Sequence, residues 1–324
     1  MLPREVIKRV REIQVRTGRD VADVLAGQYS SVFKGRGIEF DEVRPYVPGD
    51  EVRTIDWNVT ARMGEPFVKR YIEERQLTLM LLADVSASQE FGSAAKSKRE
   101  ATAELCALLA FSATQSDDKV GLALFHDQIE QYIPARKGQK HALRVVREVL
   151  TFGGEPVSAD STEKPSIAKR RLPWARPRWP RRTTANLGRQ TNIGSAVEFL
   201  LKSSLRRTVC FVVSDFFDDN YISKMQMASR RHDVIAVLIT DPREFEMPAV
   251  GIVDFVDPET GGRVTCDTSS AGFRNTLAAR SSERIESLQE KFRRSKIDFI
   301  HVDASTSIVD PLAKFFRMRQ RRQR

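Results

Sequence analysis

The sequence is poor in the residues that most often announce chemistry. It has three cysteines, Cys106, Cys210 and Cys266, which are far apart and without a CxxC spacing. That disfavours a disulfide framework and a structural zinc site. Cys106 and Cys210 fall in apolar runs and read as reduced core residues. The four histidines, His126, His141, His232 and His301, form no HxxxH or HExxH pattern. There is no GxxxxGK[ST] phosphate loop and no GxSxG elbow, so neither P-loop hydrolysis nor α/β-hydrolase chemistry is expected. No apolar run approaches the roughly 20 residues needed to span a bilayer. The first residues, MLPREVIKRVREIQVRTGRD, are charged throughout and lack the apolar centre of a signal peptide. A cytoplasmic location is therefore the expectation.

What is present is an ordinary globular composition: 324 residues, 41% hydrophobic and 30% charged, with a net charge of +10. The length suits one large α/β domain with elaborations, or two domains. The positive charge is local. Residues 153–189 hold nine Lys/Arg against three acids, and 317–324 hold five arginines and no acid. The remainder is close to neutral, so the basicity does not make the whole chain a nucleic-acid-binding domain. The stretch at 153–189 also has five prolines and two tryptophans without periodicity. It reads as a linker-like insertion. Its mixture of Arg and Trp leaves binding of acidic partners or nucleic acid open.

The chain is organised around Leu77 to Ser88. Leu77 and Leu79–Ala83 form an apolar run without polar alternation, which reads as a strand buried on both faces of a parallel sheet. Asp84, Ser86 and Ser88 follow at once, in the loop at the strand's carboxyl end, where open α/β sheets bind ligands. One carboxylate and two hydroxyls offer only oxygen, the donor a hard cation such as Mg²⁺ prefers. Taken on their own, the same residues read first as caps of the next helix, since Asp and Ser are ordinary after a strand. Further buried strands are expected at Lys119–Phe125, Thr208–Ser214, Val234–Thr240 and Ile297–Val302. A short strand at Gln128–Ile133 would form a hairpin with the first of these, through His126-Asp127. A second hairpin is expected at Ile252–Val256 and Arg263–Cys266. Helices are expected at Ser93–Gln115, Gln139–Leu150, Thr191–Lys202, Asn220–Arg231, Thr276–Arg294 and Ile308–Met318. Alternating strands and helices predict a doubly wound, mostly parallel sheet. In the order 3-2-1-4-5-6, Asp215 follows the strand beside the first, and Thr191 opens the helix leading into it. Both would join Asp84, Ser86 and Ser88 at the switch point of the sheet. Asp218 and Asp219 read as caps of the helix after them.

Before this domain, residues 1–29 show broadly helical apolar spacing, and 30–76 read as a small, irregular β-rich segment with a turn at Pro48-Gly49-Asp50. This segment sets charges beside aromatics, among them Arg44, Asp50, Arg53, Asp56, Trp57 and Arg62. Arg–carboxylate pairs could hold a coreless segment in shape, or the same residues could form a partner-binding surface; the sequence does not separate the two. The remaining boundaries are 77–317 for the α/β domain, with its insertion, and 318–324 for a basic tail.

DVSAS at Asp84–Ser88, Thr191 of GRQTNIGSA and Asp215 of VVSDF resemble the three-part metal-ion-dependent adhesion site of von Willebrand factor A domains. The stretch GRGIEFDEVRPYVPGDEVRTIDWNVTAR, with KRYIEER after it, resembles the bacterial domain-of-unknown-function family 58, associated with the MoxR class of AAA+ ATPases. The resemblance spans roughly residues 30 to 305. It implies that Ser86, Ser88 and Thr191 hold Mg²⁺ or Mn²⁺ through their hydroxyls, with Asp84 and Asp215 acting mainly through bound waters. Gln89 stands where Met is frequent and Asn192 where Asp is frequent; neither substitution removes an implied ligand. A carboxylate from a partner would complete the coordination sphere.

Three functions follow. The first is a non-enzymatic, metal-dependent interaction module, an adaptor of a MoxR-type ATPase or of its client protein in maturation of proteins or complexes; the ATPase link rests wholly on the resemblance. The second is a metal-dependent hydrolase or phosphotransferase using Asp84, against which Asp-x-Ser-x-Ser lacks a second direct carboxylate. The third is nucleic-acid binding through the insertion and the tail, which near-neutrality elsewhere disfavours.

Overall fold

A computed structural model describes residues 12–13, 25–33, 39–72, 76–93, 96–152, 191–204, 206–257 and 262–323. Most of the expected N-terminal helical segment and the insertion at 153–189 lie outside the described residues. The chain's centre is a six-stranded sheet made of β3 (Thr78–Asp84), β4 (Lys119–Phe125), β5 (Ile129–Arg136), β6 (Val209–Ser214), β7 (Asp233–Thr240) and β10 (Asp298–Asp303). Its order is β10-β7-β6-β3-β4-β5. All neighbours are parallel except β4 and β5, the hairpin turned at His126. Counted in order of appearance these strands stand 3-2-1-4-5-6, the order used in the sequence reading for a doubly wound sheet. The order reverses between β3 and β6, so their carboxyl ends share one crevice.

Strand alternation divides the core. Leu79, Leu81 and Ala83 of β3, with Phe211 of β6 and Val237 of β7, face one side; Met80, Leu82, Val212 and Leu238 face the other. The first side is covered by α1 (Ala26–Phe33), α3 (Lys98–Gln115), α4 (Gln139–Thr151) and α8 (Val309–Gln323). The second is covered by α5 (Ile193–Ser203), α6 (Ile222–Ser229) and α7 (Ala271–Arg294). Burial on both faces is why these strands carry no polar alternation. Gly121 sits where β4 meets β5 through a register irregularity. A Cβ there would lie 2.9 Å from Met80 Cε and 3.2 Å from Ile133 O.

Several element ends differ from the sequence reading, such as helices that begin at Lys98 and Ala271 rather than Ser93 and Thr276; two others bear on how the chain divides. The helical segment runs to Phe33 rather than ending at residue 29, because its last turn belongs to the main core. The Tyr29 and Phe33 rings pack at 5.0 Å, and Phe33 meets Phe316 of α8 at 5.8 Å. The closing helix, expected to end at Met318, runs on through the arginines to Gln323. Arg319 pairs with Asp233 and with Asp298 (3.5 Å), and Arg322 pairs with Asp298 (3.2 Å). These acids offset the local repulsion between arginines.

The segment before the sheet is a small lobe. Strands β1 (Glu39–Pro45) and β2 (Phe67–Ile72) pair antiparallel, and Ile55 bridges to Val68. The expected turn is present: Asp50 N donates to Val47 O (3.0 Å), and Gly49 takes a φ of 110° that disfavours a side chain. Between the strands lies α2 (Trp57–Met63), a helix where only irregular β structure was expected. Asp56 caps it through Asn58 N and Val59 N, and Gly64 ends it in the left-handed region. Beyond β7, β8 (Ile252–Val256) and β9 (Arg263–Asp267) form a separate antiparallel pair, the second hairpin expected.

Candidate metal and partner-binding site

The carboxyl end of β3 places Asp84 with both oxygens engaged. Oδ1 accepts from Ser86 N (2.8 Å) and Oδ2 from Ser214 Oγ (2.6 Å), the last residue of β6. Asp84 is 2% exposed. Burial pushes its carboxyl up to about 7, and the Asp215 carboxylate adds to the shift. Ser86 and Ser88 leave the strand on the same side, and their hydroxyl oxygens are 3.0 Å apart. Adjacent ligands of an octahedral Mg²⁺, bonded at 2.0–2.1 Å, would stand about 2.9 Å apart. The loop beyond is pinned across the sheet, where Ser93 N donates to Asp241 Oδ2 (2.8 Å) at the end of β7. Gly92 permits this path; a Cβ there would lie 2.5 Å from Ser97 Cα.

Asp215 follows β6 and is fully buried. Its Oδ2 accepts from Lys98 Nζ (3.0 Å), while its Oδ1 is buried without a hydrogen-bond partner among the described residues. Its carbonyl oxygen accepts from both Arg284 amino groups (3.1 and 2.9 Å). Lys98, 3% exposed, also donates to Glu244 (2.8 Å). Burial works against its ammonium, and Asp215 and Glu244 outweigh that, so it is held above its ordinary value. Phe216 takes a φ of 55°, unusual for an aromatic residue. It keeps its own ring in the core and leaves Phe217 59% exposed, with the Arg284 guanidinium 3.8 Å above that ring.

Thr191, half-buried, precedes α5. The turn it belongs to is held at the same sheet end: Asn192 N donates to His126 O (2.7 Å), at the end of β4. Ile193 N donates to Asp218 Oδ2 (2.9 Å). Asn192 is the cap of that helix, its Oδ1 accepting from Ser195 N (2.9 Å); Asp218 adds a bond to the helix's first N–H while its Oδ1 accepts from Asn220 N (3.2 Å), and the helix after it has no side-chain cap. The local signal for this was weak, since α5 is 25 residues earlier in the chain. Nearby, His126 lies between Asp127 and Glu130, with Nε2 2.9 Å from Glu130.

The six candidate partner-binding residues of the lobe divide. Arg44 and Asp50 form a two-bonded pair (2.8 and 2.7 Å), and Val47 N donates to Asp50 as well. These bonds, Arg44's first, hold Asp50 below the usual carboxylate range. Asp56 caps α2 and meets Lys69 at 3.1 Å. These three residues are thus used in holding the lobe. Arg53, Trp57 and Arg62 are exposed, Trp57 at 67%, and are available to a partner.

Sequence reasoning missed Lys98, Ser214, Glu244 and Arg284. Ser214 stands directly before Asp215 and could have been noticed as a hydroxyl ending an apolar strand. Lys98 is 117 residues from Asp215 and 146 from Glu244; no local pattern announces it.

The model of the family described as "Protein of unknown function DUF58" matches residues 42–287. The chain belongs to this family. An uncharacterized protein of Mycobacterium tuberculosis is 28% identical over 253 residues, covering 78% of this chain and 70% of that protein. Among solved structures, the chain is similar to the conserved hypothetical protein BatB from Bacteroides thetaiotaomicron. That similarity has a TM-score of 0.43 and 16% identity, over 76% of this chain and 99% of BatB. It is also similar to the VWA domain of SpRpn10, with a TM-score of 0.34 and 10% identity, over 74% of this chain and 94% of that one. The DUF58 family match agrees with the resemblance read from the GRGIEF…NVTAR stretch. Among the described residues, no helix is long and apolar enough to cross a membrane.

Proposed function

We propose that the protein is a non-enzymatic interaction module whose grip on a partner depends on a divalent cation, Mg²⁺ or Mn²⁺. In this reading Ser86, Ser88 and Thr191 hold the ion through their hydroxyls. Asp84 and Asp215 stand behind and act through water, since both Asp84 oxygens already accept hydrogen bonds. The ion would supply a positive centre that takes a carboxylate from the partner. The observation that carries the reading is the pairing of two hydroxyls 3.0 Å apart with a buried Asp215 Oδ1 that has no hydrogen-bond partner among the described residues. A buried carboxylate oxygen without a partner costs free energy unless water or a cation reaches it.

The chain's own residues prepare the site. Ser214 and Ser86 N fix the Asp84 carboxylate. Arg284 fixes the Asp215 backbone, and Asp218 fixes the turn that carries Thr191. Phe217, exposed beside Asp215 with Arg284 over its ring, offers an apolar contact to such a partner. The partner class we propose is a MoxR-type AAA+ ATPase or its client, a role that rests on family resemblance, with exposed Trp57, Arg53 and Arg62 as a second contact.

The test is a pull-down from the native host, wild type against Asp84→Ala, with Mg²⁺ and with EDTA, read by mass spectrometry. Retention of an ATPase or client only by wild type with Mg²⁺ supports the reading. Recovery of the same proteins under all four conditions moves the docking point to the lobe. Metal-dependent turnover of a phosphoester by the purified chain would favour the hydrolase alternative.

A further inference from the structure

Among the described residues, Lys98 is the more deeply buried of the two cations that hold Asp215, Arg284 being the other, and the proposed metal reading does not use it. Its Nζ lies between Asp215 Oδ2 (3.0 Å) and Glu244 Oε1 (2.8 Å), at 3% exposure. Asp215 thus gives one oxygen to an ammonium, while the other has no hydrogen-bond partner among the described residues. A divalent ion near that second oxygen would share one buried carboxylate with a fixed positive charge. Water is largely excluded here, so the repulsion is poorly screened. Glu244 works in the opposite sense: it holds Lys98 from the far side and adds a negative charge. Glu244 is itself placed by the backbone, because Ser281 Oγ of α7 donates to its carbonyl oxygen (2.5 Å).

We propose that Lys98 is a positioning residue that sets the affinity of the Asp84–Asp215 site for divalent cations, keeping it weak, with Glu244 as its counterweight. The inference rests on the metal reading of the site. Weak binding of this kind leaves the ion's positive charge less neutralised by the protein and more available to a carboxylate from outside. Lys98 thereby trades affinity for the ion against affinity for the acidic partner.

The test is calorimetric titration of the full-length chain with Mg²⁺ and with Mn²⁺, for wild type, Lys98→Gln, Lys98→Arg and Glu244→Gln. Groups behind metal ligands typically change affinity by about 10- to 100-fold. Lys98→Gln is expected to tighten binding by that order, Lys98→Arg to leave it near wild type, and Glu244→Gln to loosen it. Ion-induced rise in melting temperature, a second readout, should increase in Lys98→Gln and shrink in Glu244→Gln. Opposite signs are not what a merely structural ion pair gives. If Lys98→Gln does not fold, Lys98→Arg and Glu244→Gln carry the test. Unchanged or weaker binding in Lys98→Gln, or unchanged or tighter binding in Glu244→Gln, overturns the inference and leaves the metal reading intact. Binding by Lys98→Gln alone upholds the inference and overturns metal dependence of the wild type. Binding by none of the four overturns both.

Discussion

Ser214 Oγ donates a 2.6 Å hydrogen bond to Asp84 Oδ2 across 130 residues of chain, and so ties the last residue of β6 to the last of β3. The two strands meet at the point where the sheet changes direction, and this bond sits at their shared edge. It sets the carboxylate's orientation before any ligand arrives. Ser214→Ala should cost about 1–3 kcal/mol of stability, because it leaves a buried carboxylate oxygen unpaired. Urea denaturation of the two proteins in EDTA checks this. A midpoint equal to wild type would mean that Asp84 finds another donor.

The same carboxylate predicts a pH dependence. Asp84 sits near 7 in the folded, ion-free protein, against an ordinary value near 3.8. Between the two values the folded state holds a proton that the unfolded state has lost. Its contribution to stability is therefore full below about pH 4 and disappears as pH rises through about 7. In EDTA, wild type should lose more stability than Asp84→Asn between about pH 5 and about pH 8. Parallel losses in the two proteins would place the titration elsewhere.

Gln89 offers a test of the opposite sign. It is fully buried directly after Ser88, and neither its amide nitrogen nor its amide oxygen has a hydrogen-bond partner among the described residues. Methionine has nearly the same shape without the desolvation cost. Gln89→Met should raise stability by about 1–3 kcal/mol, measured by the same denaturation. A loss would show that the amide is satisfied by ordered water.

Much of this was legible in the chain. The run Leu79–Ala83 is apolar because both faces of β3 are covered, so its burial and the position of Asp84 could be read directly. Asp215 could be placed because an apolar strand of the same kind precedes it, and the doubly wound order 3-2-1-4-5-6 sets that strand beside β3. Three features were hidden, each for a physical reason. The helix α2 is short, and WNVTARM has no apolar stripe; only Asp56 and Gly64, its cap and its stop, mark it. The extension of α8 past Phe316 has no apolar period either. Arginine is a good helix former, and its charge is compensated by Asp233 and Asp298 from distant strands. Lys98 looked like any polar residue inside the helix expected from Ser93, whereas the helix begins at Lys98 itself; its burial follows from Asp215 and Glu244, which only the folded sheet brings to it.

The central claim is that Ser86 and Ser88 form part of a divalent-cation site. Its most direct test is titration of the purified chain with Mn²⁺ and Mg²⁺, wild type against Ser86→Ala, followed by calorimetry. The account predicts one ion per wild-type chain and loss of that binding in Ser86→Ala, with the substituted protein still folded by circular dichroism. Equal binding by both proteins, or no binding by wild type in the millimolar range expected of a weak oxygen site, would contradict it.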